Sequence, residues 1–478
     1  MKKLIIIFLI MSLLCFTSCN EDGEVSLPET EITTEAETIP ETEPPKPGIT
    51  IAGNDISNYT IVHDGTKAAA SLAGDLKILI HEACGCRVNV KKHTAAESEY
   101  EILIGKTNRA ESAEIRGTYD RPNVYYDVKV VGTKLVIMGE GRATLEKLTP
   151  ELNALIESGS TAAVELADSP ISGNIIADAD KYSMSERAEG TDLRVFHWNF
   201  AAPYLDPNVT KPPVVYTDNV TRGEDMADMI LQFLPDIITT NEFYASHNGN
   251  TTFFDAVMSQ LGEYYVCLDS PYDKGKPEAG ADAIKGKTIN SNIIYRKDIG
   301  LEVISSAWRY STQKTNTSTA NPNGYIYYHG SHTAVFSYKG TKFILSAAHY
   351  ADSTKSNQWA REQLAAVADA QSAFTSPLPV ILTGDLYTSY NQSSSESGYK
   401  YIASAGYKDA QQTADFIGNK VGIHGTFHKI GERQTNRISE DFVWYTDGIK
   451  ALAFKVLANK ISDDASDHYP VMADLSLN

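Results

Sequence analysis

Apolar residues recur along this chain with two periods, and where the period changes it separates elements that make up two folded regions. In the first, expected over 49–180, Ile56 to His63 alternates as a strand. From Thr66 through Ala83 the spacing of Ala70, Leu72, Leu76, Leu79 and Ile80 becomes that of an amphipathic helix. Short strands are predicted at Arg87 to Val90 and Tyr100 to Ile104. Tyr125 to Val131 and Lys134 to Met138 flank a Gly132-Thr133 turn as a hairpin. A second amphipathic helix covers Thr144 to Ile156. This order predicts a compact α+β layer, followed from Asp168 to Met184 by connection with one or two edge strands.

The second region, expected over 190–478, starts with a strand at Leu193 to Trp198 and a helix from Glu224 to Leu234. An apolar run at Ile237-Ile238 follows, then a helix from Phe253 to Leu261 and a strand at Tyr264 to Leu268. Asp269 to Lys287 is rich in Gly, Pro and Lys and reads as a surface excursion. Strands are predicted at Asn292 to Tyr295, Leu301 to Trp308, Tyr325 to Tyr338 and Lys342 to His349, the last two joined by a turn at Lys339-Gly340. Helix Trp359 to Phe374 precedes a buried strand at Val380 to Leu382. Three more strands, Arg437 to Trp444, Ala451 to Leu457 and Tyr469 to Leu477, complete the chain. Strands paired mostly antiparallel with helices between them predict two sheets packed face to face with helices outside.

Composition narrows the setting. Met1-Lys2-Lys3 and the apolar run Leu4 to Leu14 form a secretory leader over 1–18, and the Cys19 that follows Phe16-Thr17-Ser18 resembles the lipidated first residue of a mature bacterial lipoprotein. The linker over 19–48 carries nine acidic residues against Lys46 alone and has no apolar periodicity, so it is expected to be an extended tether holding the chain outside the cell membrane. Net charge is −19 and no basic run follows Lys3, which argues against long nucleic acid as a partner. Cys84, Cys86 and Cys267 have neither disulfide nor zinc spacing. A monomer is expected.

The chemistry gathers at strand ends. Asn199, Glu242, His349, Asp385 and Asp441 each sit at the end of an apolar strand, and Asp467-His468 stands just before the last one. An Asp beside a His offers a cation ligand and a base that titrates near neutrality. The segments "LRVFHWNF", "LPDIITTNEF", "NIIYRKD", "FILSAAHY", "PVILTGDLY", "RISEDFVWYTDGIKAL" and "SDHYPVMADL" together resemble the endonuclease/exonuclease/phosphatase superfamily over the whole of 190–478. That resemblance implies an α/β (α+β) four-layer sandwich with its site where the two sheets open.

It further implies that Glu242 holds a divalent metal, Mg²⁺ or Mn²⁺, with Asn199 and Asp467 completing or supporting the shell. His468 would be general base or phosphate ligand, with Asp441 accepting its other ring proton. Asp385 would orient the attacking water, and His349 would hydrogen-bond a non-bridging phosphate oxygen. The family commonly has Asn two residues after Asp385. Here Tyr387 stands as a substrate-facing residue instead, with a single hydroxyl and no amide oxygen. Two readings therefore stay open: a tethered phosphoester hydrolase acting on a phospholipid head group, a phosphorylated glycan or a nucleotide, or a non-catalytic lipoprotein that binds a glycan or phosphate ligand in the same cleft. Through "SLAGDLKILIHEACGCRVNV", "YEILIGKTNR" and "YDVKVVGTKLVIMGEGR" the first region resembles the small α+β accessory domain that precedes the barrel of several secreted glycosidases.

Overall fold

The computed structural model describes residues 48–175, 186–201, 216, 218–243, 252–268, 291–310, 330–350, 356–388, 397–418, 425–427 and 439–478. The leader, Cys19, the tether up to Pro47 and the excursion from Asp269 to Lys287 lie outside these described residues. Residues 46–478 form one compact unit.

The chain first makes β1 (Ile49–Ile51), β2 (Asn54–Asp55), β3 (Thr60–His63), α1 (Lys67–Cys84), β4 (Asn89–Lys92), β5 (Glu101–Ile104), α2 (Ala110–Arg116), β6 (Tyr125–Val131), β7 (Lys134–Gly139), α3 (Arg142–Ser158), β8 (Val164–Glu165) and β9 (Ile171–Asn174). Helix α1 begins where the Thr66 side chain accepts the Ala69 amide and stops at Gly85, whose φ of 76° suits glycine. Six strands form a sheet in the order β4-β3-β5-β7-β6-β9, with β4, β3, β5 and β7 mutually parallel. On one face α1 and α3 bury Leu72, Leu76, Leu148 and Leu152 against Ile61, Ile102 and Ile137. On the other, Ile115 of α2 meets Val62, Leu103 and Val136. The sequence pattern does not announce α2, because seven residues with only Ser112 and Ile115 buried are too few to display a period.

The second region contains β10 (Leu193–Asn199), α4 (Asn219–Phe233), β11 (Ile237–Asn241), α5 (Thr252–Leu261), β12 (Tyr265–Cys267), β13 (Ser291–Arg296), β14 (Glu302–Tyr310), β15 (Gly330–Tyr338), β16 (Thr341–His349), α6 (Ser356–Gln371), β17 (Val380–Asp385), α7 (Gly398–Ser404), β18 (Lys408–Asp409), α8 (Ala410–Thr413), β19 (Phe416–Ile417), β20 (Asp441–Tyr445), β21 (Ile449–Val456), α9 (Lys460–Ala465) and β22 (Val471–Leu477). One sheet runs β12-β13-β11-β10-β22-β21-β19 and the other β14-β15-β16-β17-β20-β18.

Alternation along the strands builds the layers. Val195, Ile237, Phe336, Leu345, Val443 and Ala473 point between the sheets into one core. Their neighbours Phe196 and Ile238 point the other way, onto Met226, Met229 and Ile230 of α4 and Val257 of α5. On the far side, Ile344, Leu382 and Trp444 pack beneath Trp359 and Val367 of α6 and Ile402 of α7. The result is helix, sheet, sheet, helix: the two face-to-face sheets with outer helices that the strand pattern predicts, and the four-layer sandwich that the resemblance implies.

Helix α4 also forms the seam with the first region. It begins five residues earlier than its apolar spacing suggests, because its first two turns bury Arg222 and Asp225 instead of hydrophobic side chains. Asp228 accepts Asn123 Nδ2 at 2.7 Å and the Arg142 amide at 2.9 Å, and Asp225 pairs with Arg142 Nε at 2.8 Å.

Candidate active site

Strand register sets the site on one level. His349 pairs with Asp385 across β16 and β17, and Asp385 pairs with Asp441 across β17 and β20. In the facing sheet, Asn199 of β10 pairs with Asn241 of β11. Two carboxylates, an imidazole and two amides therefore end neighbouring strands of both sheets, and Glu242 and the Asp467-His468 turn follow directly.

Two features fix these ends. At Gly384 (φ +151°) a Cβ would stand 2.0 Å from the Ala348 carbonyl oxygen, so only glycine lets β17 approach β16 just before Asp385. The Asp385 amide donates to Asn241 Oδ1 at 2.8 Å, a hydrogen bond that ties one sheet to the other. Ala201, Glu242 and Tyr387 all have positive φ, at 46°, 52° and 44°. Such backbone conformations are costly for residues with side chains, and here three of them surround one cluster of polar groups.

Asp385 is fully buried. Asn199 Nδ2 donates to its Oδ2 at 2.9 Å, and His349 Nε2 lies 3.4 Å from the same oxygen. Burial pushes its carboxyl up to about 7, although the positive charge of His468 works in the opposite direction. The His349 imidazole is driven down to about 3, first by burial and then by the nearby His468 charge. The Tyr387 ring stacks on His349 at 5.8 Å between centroids. The negative charge of Asp385, with burial, pushes the Tyr387 phenol up, so it stays a hydrogen-bond donor.

His468 Nδ1 lies 2.7 Å from Asp441 Oδ2, and its Nε2 is 3.7 Å from Asp385 Oδ2 and 4.0 Å from Asp467 Oδ1. Its backbone is held as well. Its amide donates to Ser466 Oγ, its carbonyl accepts Trp198 Nε1 at 2.7 Å, and Ser466 Oγ donates to the Asn199 carbonyl at 2.6 Å. Burial disfavours the imidazolium, but the charges of Asp441 and Asp385 outweigh it and raise His468 well above the ordinary histidine value. Burial likewise works to raise Asp441, and the His468 charge together with hydrogen bonds from both histidines holds it far below the usual carboxylate range.

The structure thus brings Asn199, Glu242, His349, Asp385, Tyr387, Asp441, Asp467 and His468 to one place. The sequence reading passed over His197, whose Nε2 lies 3.2 Å from Asp441 Oδ1 while its Nδ1 meets Thr239 Oγ1 at 3.0 Å. The signal was available: with Val195 facing the inter-sheet core, alternation along β10 puts His197 and Asn199 on that same face. Asn241, whose tie to Asp385 joins the two sheets, is likewise absent from the residues that the sequence singles out.

Glu242 and Asp467 are half-buried carboxylates close enough to repel. Burial first, then the Asp467 charge, pushes Glu242 up to about 7. Two hard oxygen ligands suit Mg²⁺, which takes one or two protein carboxylates and completes its shell with water and substrate phosphate. Among the described residues no group of three or more His, Cys, Asp or Glu side chains is arranged to hold a metal. The Asn199 amide nitrogen faces Asp385 and its side chain hydrogen-bonds Glu242, while its oxygen accepts the Ala201 amide at 3.0 Å. In this arrangement Asn199 holds the carboxylates of Asp385 and Glu242 in place.

No family model matches the chain, and no curated protein matches it. Among solved structures it is similar to an endonuclease/exonuclease/phosphatase from Bacteroides vulgatus, at 20% identity over 60% of this chain and 99% of that one, with a TM-score of 0.44. It is also similar to a mannosyl-6-phosphatase of Bacteroides thetaiotaomicron, at 15% identity over 59% of this chain and 99% of that one, with a TM-score of 0.41. A third is the human Nocturnin catalytic domain with a bound sulfate anion, at 19% identity over 60% and 94% of the two chains, with a TM-score of 0.40.

Proposed function

We propose that the chain is a hydrolase of phosphoric esters that works with a divalent cation. The observation that supports this most is the buried Asp441–His468 pair, whose imidazole Nε2 points toward Asp385 and Asp467 at 3.7 and 4.0 Å. In this reading His468 donates a hydrogen bond to a phosphate oxygen, and Asp441 fixes its orientation and stabilises its charge. Asp385, poised near neutrality and held by Asn199, orients the attacking water and takes up its proton. His349 faces a non-bridging oxygen. Mg²⁺ or Mn²⁺ on Glu242 and Asp467 would supply positive charge opposite the charge that develops on phosphorus-bound oxygens. The substrate is a small phosphoester, a phospholipid head group, a phosphorylated glycan or a nucleotide. Lipidation of Cys19 would hold the enzyme on the outer side of a membrane.

Turnover of bis-p-nitrophenyl phosphate by purified protein tests the reading. Activity should depend on added Mg²⁺ or Mn²⁺, disappear in EDTA and be abolished in His468→Ala; equal rates for the two proteins reject it. Replacement of Cys19 by Ser should release the chain from the membrane fraction and stop incorporation of labelled fatty acid.

One feature favours a second reading, a binder without turnover. Tyr387 places a phenol against His349 in the crevice, at a left-handed backbone position. Calorimetry separates the two: binding of p-nitrophenyl phosphate that needs Mg²⁺ and Glu242, with no hydrolysis, identifies the binder.

A further inference from the structure

A second cavity, which shares no lining residue with the crevice, opens between the first region and the end of α5. β3 and β5 are adjacent parallel strands, yet the chain leaves them in opposite directions: β3 leads through α1 to β4 on one side of the sheet, and β5 leads through α2 to β6 and β7 on the other. Where neighbouring parallel strands diverge in this way, their carboxyl ends leave a gap that connections cannot fill. A cavity of about 310 Å³ opens there. Its walls are Asp64 and Thr66 from the turn after β3, Lys106 from the turn after β5, Arg116 from α2, and Gln260 and Glu263 from the end of α5 and just beyond it. Two regions of the chain, distant in sequence, therefore close one cavity.

Its floor is built rather than left over. The Asp64 carboxylate accepts the Thr66 amide at 2.9 Å and the Lys106 amide at 2.9 Å, joining the two turns. At Gly105 (φ +76°) a Cβ would stand 2.2 Å from Asp64 Oδ2, so a bare backbone is required beneath the carboxylate. Thr107 and Ser112 close the base through a hydroxyl pair 2.7 Å apart.

The lining carries two carboxylates and two cations, with Lys106 Nζ 3.6 Å from Glu263 and Arg116 bonded to both Glu263 and the Tyr264 hydroxyl. Charge is balanced, so nothing in it selects an ion of either sign. Donors and acceptors both line a polar space near the small end of the range for ligand pockets. Adjacent hydroxyl groups on a ring, each both donor and acceptor, match such a surface, whereas an apolar molecule or a free anion does not.

We propose that this cavity binds a neutral polyhydroxylated ligand of the size of one monosaccharide unit. The site shares no residue with the crevice, so it can be present whether or not the chain hydrolyses phosphoesters.

The test uses the full folded chain and saturation-transfer NMR with glucose, galactose, mannose, N-acetylglucosamine and rhamnose at millimolar concentrations, with inorganic phosphate as the charged control. At least one sugar should give transfer that phosphate does not suppress. Ala113→Phe and Ser259→Trp, at exposed positions on the cavity wall, should each abolish it while leaving the melting temperature and the bis-p-nitrophenyl phosphate rate unchanged. Gln260→Ala should weaken binding about tenfold by removing one hydrogen-bonding side chain. Glu242→Ala should leave binding intact. Absence of transfer from all five sugars overturns the proposal, as does transfer that persists in both filled variants or is displaced by phosphate. Loss of hydrolysis alone leaves it standing.

Discussion

Asp441 is the residue whose removal tests most of the site at once. Asn has nearly the same shape, so Asp441→Asn removes a charge and leaves the packing. The carboxylate lies 2.7 Å from His468 and 3.2 Å from His197, and all three groups are buried. A hydrogen bond to a charged group contributes about 1.5–3 kcal/mol, and leaving a buried charge without its partner costs about 3–5 kcal/mol. Because Asn still offers an acceptor to one imidazole, the lower figures apply, and a loss of about 2–3 kcal/mol is expected. Guanidinium unfolding followed by tryptophan fluorescence measures it, since Trp444 is on the same strand and Trp198 binds the His468 carbonyl. If the hydrolase reading holds, turnover should also drop by about 10²–10⁴-fold, the usual contribution of a positioned acid or base. A variant within 0.5 kcal/mol of the parent, with an unchanged rate, refutes the claim that Asp441 organises the imidazoles.

Gly384→Ala places a methyl 2.0 Å from the Ala348 oxygen at a backbone angle that alanine rarely adopts, so a loss of about 3 kcal/mol or more is expected, read as a lower denaturation midpoint. Asp409 is buried where α8 begins, and burial raises its carboxyl from 3.8 to about 7. Between those values the unfolded chain has lost a proton that the folded one keeps, so stability falls as pH rises through the window, by at most about 4 kcal/mol. Asp409→Asn, which can still cap Gln411, should flatten that slope and be the more stable protein above pH 7; a parallel pair of stability curves refutes this. Tyr387→Asn should raise bis-p-nitrophenyl phosphate turnover by opening the crevice, and should not destabilise the fold, because Asn tolerates the left-handed conformation at φ +44° better than Tyr.

What was legible in the sequence was what repeats or terminates. The apolar runs that end at Asn199, His349 and Asp385 announced strands, and a polar residue closing each one announced a common level. Features without a period were not visible. Ile56 to His63 alternates, yet Asp55 accepts the Ser57 amide and turns Ile56–Asn58 into a 3₁₀ turn, so the strand starts at Thr60. The apolar spacing starts α4 five residues late because its first turns bury polar groups at the seam, where tertiary partners replace hydrophobicity. His197 sits inside an apolar strand and reads there as core. Only the pairing of β10 beside β11, together with the approach of β20 in the other sheet, gives it Thr239 and Asp441 as company.

The hydrogen bond from the Asp385 amide to Asn241 makes the polar groups of the crevice a gauge of the gap between the two sheets. Side chains of the inter-sheet core, such as Phe336 and Leu345, set that gap from below. Enlarging or shrinking them shifts one wall of the crevice against the other, so under the hydrolase reading rate becomes a readout of core volume. A family of such variants would show catalysis falling on either side of one preferred thickness.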